Sequence, residues 1–140
     1  MKSTGPIWLI SIVLFMLLVA PMLAESAANA AKPGEEIDLK NYLRRGVTNI
    51  VDFYSEYCPP CRQISPRLIK LDQKRNDIKV VKIDINRKDV RGIDWGSPLV
   101  KQFQLQSIPH FKIYDEMGNL KAEGEEAYYE VMGLLKKEGI

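Results

Sequence analysis

Histidine and cysteine are scarce in this sequence, with one histidine, His110, and two cysteines, Cys58 and Cys61, in 140 residues. A structural zinc site takes four such ligands, so no metal is expected. An excess of charge of one sign is also missing. Lys and Arg number 20 against 18 Asp and Glu, and no basic run exceeds a pair. That leaves no basic face for nucleic acid, and no nucleic-acid partner is expected. The chain has room for one ordinary domain. It carries no internal repeat and no low-complexity tract beyond an alanine-rich stretch ending at Ala31. With 46% hydrophobic and 27% charged residues, the remainder reads as globular rather than disordered.

The first 30 residues lack charge between Ser3 and Ala24. Lys2 precedes an almost wholly apolar run, Ile7 to Leu23, interrupted by Ser11 and Pro21. The small residues Ser26, Ala27, Ala28, Asn29 and Ala30 follow. A basic start, an apolar core and a small-residue end make up the order of a secretory signal. Cleavage is expected after Ala30, with Ala24 and Ala28 as rival sites. The other reading is an uncleaved membrane anchor. A spanning helix needs about 20 apolar residues, and this run sits at the lower edge of that range. Under either reading the domain is exported, to a periplasm or an equivalent compartment. The segment has no cysteine, which excludes a lipid anchor on one. The expected layout is a signal segment (1–30), a linker (31–37) and one domain (38–140).

Within the domain, Asp38 to Leu43 reads as a short helix with Asp38 as its N-cap. Val47 to Tyr54 is nearly continuously apolar around Asp52, as in a strand covered on both faces. Cys58 opens a helix whose first turn accommodates Pro59 and Pro60. Ile64, Leu68 and Leu71 follow at helical spacing, and Pro66 is expected to kink that helix. Lys79 to Ile85 is a second strand. Ser97-Pro98 starts another helix. Phe111 to Tyr114 and Leu120 to Glu123 are strands joined by a turn at Met117-Gly118-Asn119, and Glu125 to Lys137 is the last helix. The order contains a βαβ unit closed by a hairpin.

The two cysteines stand as Cys58-Pro59-Pro60-Cys61. So short a loop is poor for stapling a fold, because a disulfide restricts the unfolded chain more when it closes a longer loop. A C-x-x-C beside a βαβ pattern reads instead as a redox pair. Unpaired N–H groups at a helix start favour a thiolate at Cys58, the expected exposed thiol. Cys61, one turn on and shielded, is placed to resolve a mixed disulfide. Asp52 is unusual in its own right: a carboxylate within an apolar strand, where loss of water raises its pKa. A strand-end position facing water is the alternative.

The run Val51-Asp52-Phe53-Tyr54-Ser55-Glu56-Tyr57-Cys58-Pro59-Pro60-Cys61 resembles the thioredoxin active-site segment. The likeness continues through Pro66, Val80-Val81-Lys82-Ile83-Asp84, Ile108-Pro109, Gly118 and Gly124. It implies an α/β thioredoxin fold, with a central mixed sheet flanked by helices on both faces. It also implies that Asp52 passes a proton to or from Cys61, and that Lys82 lies near Asp52 and tunes it. By the same resemblance Pro109 is cis and faces the cysteines, and Ile108 lends its backbone to an extended substrate. Tyr57, Pro59 and Pro60 would complete the contact surface. No cofactor is implied beyond the redox-active disulfide itself.

The sequence departs from the family pattern at four places. Tyr57 replaces the usual tryptophan and Pro59 the usual glycine. His110 follows Pro109 where threonine is common, and either meets the thiolate or serves the strand. The segment Asn86–Gly96 is longer than its counterpart. Its Trp95 either sits beside the cysteines and adds apolar contact surface or packs on its own loop. The leading functional expectation is a monomeric disulfide reductase of exported proteins, re-reduced by a membrane electron donor. A disulfide oxidase or isomerase, and a non-catalytic binding module, are the alternatives.

Overall fold

The strand expected around Asp52 forms as β1 (Thr48–Tyr54) and is buried at every position from Asn49 to Phe53. This computed structural model describes residues 26–140. The apolar run at 7–23, read above as leader or anchor, lies outside the described residues. Helix α1 (Pro59–Lys74) and strand β2 (Ile78–Asp84) follow β1, then α2 (Pro98–Phe103), β3 (His110–Tyr114), β4 (Leu120–Glu123) and α3 (Glu125–Lys137). A 3-10 turn, Leu39–Tyr42, precedes β1, with Asp38 accepting from the Lys40 N–H as its N-cap.

The sheet order is β2-β1-β3-β4. β1 runs parallel to β2, with Asp52 opposite Lys82, and antiparallel to β3, with Asp52 opposite Phe111. Alternation along β1 sends neighbouring side chains to opposite faces. Ile50 packs with Leu68 and Leu71 of α1 and with Val131 and Leu135 of α3. Val51 and Phe53 pack with Leu39 and with Leu99 and Val100 of α2. Helices therefore cover both faces of a mixed four-stranded sheet, and Asp52 shares the face of Ile50, beneath α1.

Local chemistry sets the ends of these elements. Ser97 Oγ accepts the Val100 N–H at 3.2 Å, and Pro98 fills the first position of α2. Asp115 Oδ1 accepts the N–H groups of Met117 and Asn119 in the β3–β4 turn, where Gly118 takes φ +88. Pro66 lies inside α1, which continues past it to Lys74.

Residues 31–37, expected as a linker, are docked rather than free. The Ala28 N–H donates to Lys82 O at 2.8 Å and the Gly34 N–H to Asp84 O at 3.0 Å. The Asn29 side chain pairs with the Asp84 backbone, donating to its carbonyl at 2.8 Å and accepting its N–H at 2.9 Å. Gly34 has φ +73, and a Cβ there would lie 2.6 Å from Arg87 N, so only glycine fits. This strap covers the open edge of β2, an edge that would otherwise present unpaired backbone groups.

Candidate active site

β1 delivers the chain at Tyr54 into a tight turn. Ser55, fully buried, accepts the Tyr57 N–H on its Oγ at 3.2 Å and the Cys58 N–H on its carbonyl at 3.1 Å. Cys58 is the N-cap of α1, and Pro59 and Pro60 occupy the first turn, where a missing N–H is tolerated. Cys58 and Cys61 form a disulfide with their Cα atoms 5.3 Å apart. The Cys61 N–H donates to Cys58 Sγ at 3.2 Å. A sulfur so placed receives a helix-start N–H and the positive end of the helix dipole, and both favour a thiolate.

The Ile108-Pro109 bond is cis, and Ile108 O lies 3.7 Å from Cys58 Sγ. This loop arrives from fifty residues downstream to face the pair. The expectation that Cys58 is the exposed thiol concerns the reduced pair, whereas the structure holds the disulfide. In the disulfide form Cys58 is only 2% exposed, against 1% for Cys61. The Ile108 carbonyl over its sulfur contributes to that cover. The two cysteines differ in their hydrogen bonding rather than in burial.

On the face of the sheet beneath α1, Asp52 is wholly buried and neither carboxylate oxygen has a hydrogen-bond partner. Its pKa is pushed up to about 7, because burial penalises the charged form; the Lys82 charge pulls the other way without cancelling this. The alternative of a strand-end carboxylate facing water is thereby ruled out. Lys82, directly opposite on β2, is also buried. Its ammonium donates to Ser65 Oγ of α1 and lies 4.3 Å from the centre of the Tyr54 ring. Tyr54, Glu56, Cys61, Arg62, Ser65 and Lys82 line an open cleft of about 490 Å³. Cys61 and Lys82 thus line the same solvent-connected cleft, and Lys82 is the register partner of the buried Asp52.

The remaining expected residues divide. Tyr57 is 51% exposed beside the cysteines, and Pro59 and Pro60 are exposed as well. Pro60 and Pro109 line a small groove of about 160 Å³ with Ile64, Tyr128 and Met132. Trp95 is 43% exposed on the loop between β2 and α2. That loop leaves the C-terminal end of β2, where the Ile85 N–H donates to Tyr54 O, so it lies at the same end of the sheet as the cysteines. No ring contact among the described residues joins Trp95 to the pair. The loop is held by Asp94, which pairs with Arg87 at 2.7 Å, and by Asn86, which donates to Gly92 O. His110 meets side chains of the sheet. Its Nε2 lies 3.4 Å from Glu123 Oε1 and its ring meets Phe53 edge-on, which favours the strand role over the thiolate role.

Sequence reasoning misses three contributors: Ser65, Tyr54 and Ser55. Ser65 has a signal, since it lies four residues after Cys61 and so on the same helix face.

Comparison with known proteins agrees with this geometry. The family model described as Thioredoxin matches residues 35–136. The chloroplastic thioredoxin-like protein HCF164 of Oryza sativa subsp. japonica is 32% identical over 97 residues, which is 69% of this chain and 33% of that protein. A thioredoxin H-type of Brassica campestris is 32% identical over 89 residues, 64% of this chain and 59% of the relative. The chain therefore spans about a third to three fifths of the length of these relatives. Among solved structures, thioredoxin f2 of Chlamydomonas reinhardtii superposes with a TM-score of 0.50 at 24% identity, over 74% of this chain and 94% of that one. That likeness establishes the fold.

Proposed function

The chain belongs to the thioredoxin family, and from that premise we propose that it reduces disulfides of exported proteins by dithiol–disulfide exchange. The observation that carries this reading is the placement of Cys58 Sγ, which accepts the Cys61 N–H at the start of α1 and faces the Ile108-Pro109 turn. In the reduced form the Cys58 thiolate attacks one sulfur of a substrate disulfide. One S–S bond breaks, a mixed disulfide forms, and the departing substrate thiolate takes a proton. Cys61 then loses its proton to Asp52 and attacks Cys58 Sγ. That step closes the Cys58–Cys61 disulfide and releases the second substrate thiolate. Two electrons pass from the dithiol to the substrate.

Each side chain has a part in this scheme. The Asp52 carboxyl, held in a dry site with its proton affinity raised to near neutral, is suited to exchange a proton at working pH. The Ile108 backbone and the cis Pro109 offer an edge to which an extended substrate segment can hydrogen-bond. Tyr57, Pro59, Pro60 and Trp95 supply contact surface around the sulfurs. The apolar run at 7–23 supports export, and a reductase in an oxidising compartment needs a membrane-borne electron donor. The chain acts as a monomer.

The test is a reductase assay on a protein disulfide together with covalent trapping. Parent protein should accelerate reduction by a small dithiol, and Cys58→Ser should abolish the acceleration. Cys61→Ser should accumulate reducible mixed disulfides through Cys58. An inactive parent with no adducts in Cys61→Ser would refute the proposal.

A further inference from the structure

We propose that Ser65 is a positioning residue, whose hydroxyl holds the Lys82 ammonium against the Tyr54 ring and off the Asp52 carboxyl. This rests on the exchange chemistry proposed above and extends it to a residue outside the cysteine motif. Asp52 and Lys82 are register partners on adjacent parallel strands and both are buried. An ammonium and a carboxylate so placed would be expected to close into an ion pair, because an unpaired buried charge is costly. They do not close. The Lys82 ammonium donates to Ser65 Oγ and lies over the Tyr54 ring face, while both Asp52 oxygens remain without a hydrogen-bond partner. A lysine ammonium has three N–H donors. The serine oxygen takes one, and the aromatic face offsets part of the remaining charge.

Lys82 is the charge that acts on Asp52, and the other groups are those of the cleft that Lys82 lines and of the elements packed on this face. From β1 and the turn after it come Tyr54 and Glu56. β2 adds Lys82 and Asp84, which interacts with Lys82 and Glu56, and α1 adds Cys61 and the exposed Arg62. β3 contributes Phe111 opposite Asp52, and the buried face of α3 is Ala127, Val131 and Leu135. The distance from the Lys82 ammonium to Asp52 therefore sets how far that charge offsets the rise in proton affinity that burial causes. Ser65 sets that distance from a helix turn that also carries Cys61. Without the hydroxyl, the flexible Lys82 stem can bring the ammonium to the unpartnered Asp52 oxygens, which would hold the carboxyl charged.

The experiment is a carbon-13 NMR titration of the Asp52 carboxyl in the disulfide form of the full chain, compared among the parent, Ser65→Ala, Ser65→Thr and Lys82→Gln. The parent should titrate near 7. Ser65→Ala should lower the midpoint by at least about half a pH unit, Ser65→Thr should restore it, and Lys82→Gln should raise it. An unchanged or raised midpoint in Ser65→Ala, or an equal fall in Ser65→Thr, would overturn the assignment. So would a parent that titrates near 4, which would also remove Asp52 from the proposed proton transfer. The titration needs no substrate. A chain inactive in the reductase assay that still shows the Ser65→Ala shift and the Ser65→Thr rescue would lose the exchange function and keep the Ser65 assignment.

Discussion

Replacing Asp52 by asparagine separates the ionisation of this carboxyl from its shape. The folded chain holds the Asp52 proton up to about pH 7, against 3.8 for an ordinary aspartate, because burial disfavours the charge more than Lys82 favours it. Between those values the folded state binds more proton than the unfolded state, so the parent loses stability as pH rises from about 4 to about 7. Above 7 the loss is complete. A displacement of about three pH units at ~1.36 kcal/mol each gives a penalty of about 4 kcal/mol. The substituted amide cannot ionise and escapes it. Any fixed cost of burying that amide is independent of pH and cancels when two pH values are compared. The stability gap between Asp52→Asn and the parent should therefore move in favour of the variant by about 3 kcal/mol between about pH 4.5 and about pH 8. Urea unfolding of both proteins in the disulfide form measures it. Parallel pH profiles would mean that Asp52 titrates as it does in the unfolded chain. A gap that moves in the parent's favour with rising pH would mean that Asp52 is held charged, and either outcome refutes the buried-proton account.

Three further outcomes follow from the geometry. Alkylation of the reduced protein near neutral pH should label Cys58 before Cys61, because Cys58 Sγ receives the helix-start N–H; peptide mass mapping that finds Cys61 first would reverse their roles. In the uncleaved chain, Asn29→Ala removes two hydrogen bonds to the Asp84 backbone at a buried site and should lower unfolding stability by roughly 1–3 kcal/mol, whereas an unchanged urea midpoint would mean that the strap does not dock. The emission difference between the parent and Trp95→Phe isolates Trp95 from Trp8, and it should change on reduction of the disulfide; an unaffected difference spectrum would remove the loop from the site.

Local chemistry was legible in the sequence wherever one residue type had one evident use. The caps at Asp38, Cys58 and Ser97 announce their helices, and the apolar run around Asp52 announces a strand covered on both faces. Contacts made by distant backbone were not legible. The strap from Ala28 to Gly34 docks through main-chain groups and one asparagine, so it shows no hydrophobic period; its first three residues read as the end of a signal segment and the rest as a linker. The burial of Cys58 depends in part on the Ile108 carbonyl, fifty residues away. A lone serine such as Ser65 in a helix has no motif of its own. Its meaning comes from Lys82, on a strand that only the folded sheet brings alongside.

The most direct test of the central claim is the reduction potential of the Cys58–Cys61 couple. The purified protein is equilibrated in glutathione buffers of graded ratio, and its oxidised fraction is read by mass after alkylation. A reversible two-electron transition more negative than roughly −200 mV, the region separating oxidising from reducing dithiols, is the expected result for a reductase. A potential well above that region would make the chain a disulfide donor. A pair that never equilibrates with glutathione would make its disulfide structural, and either result contradicts the account.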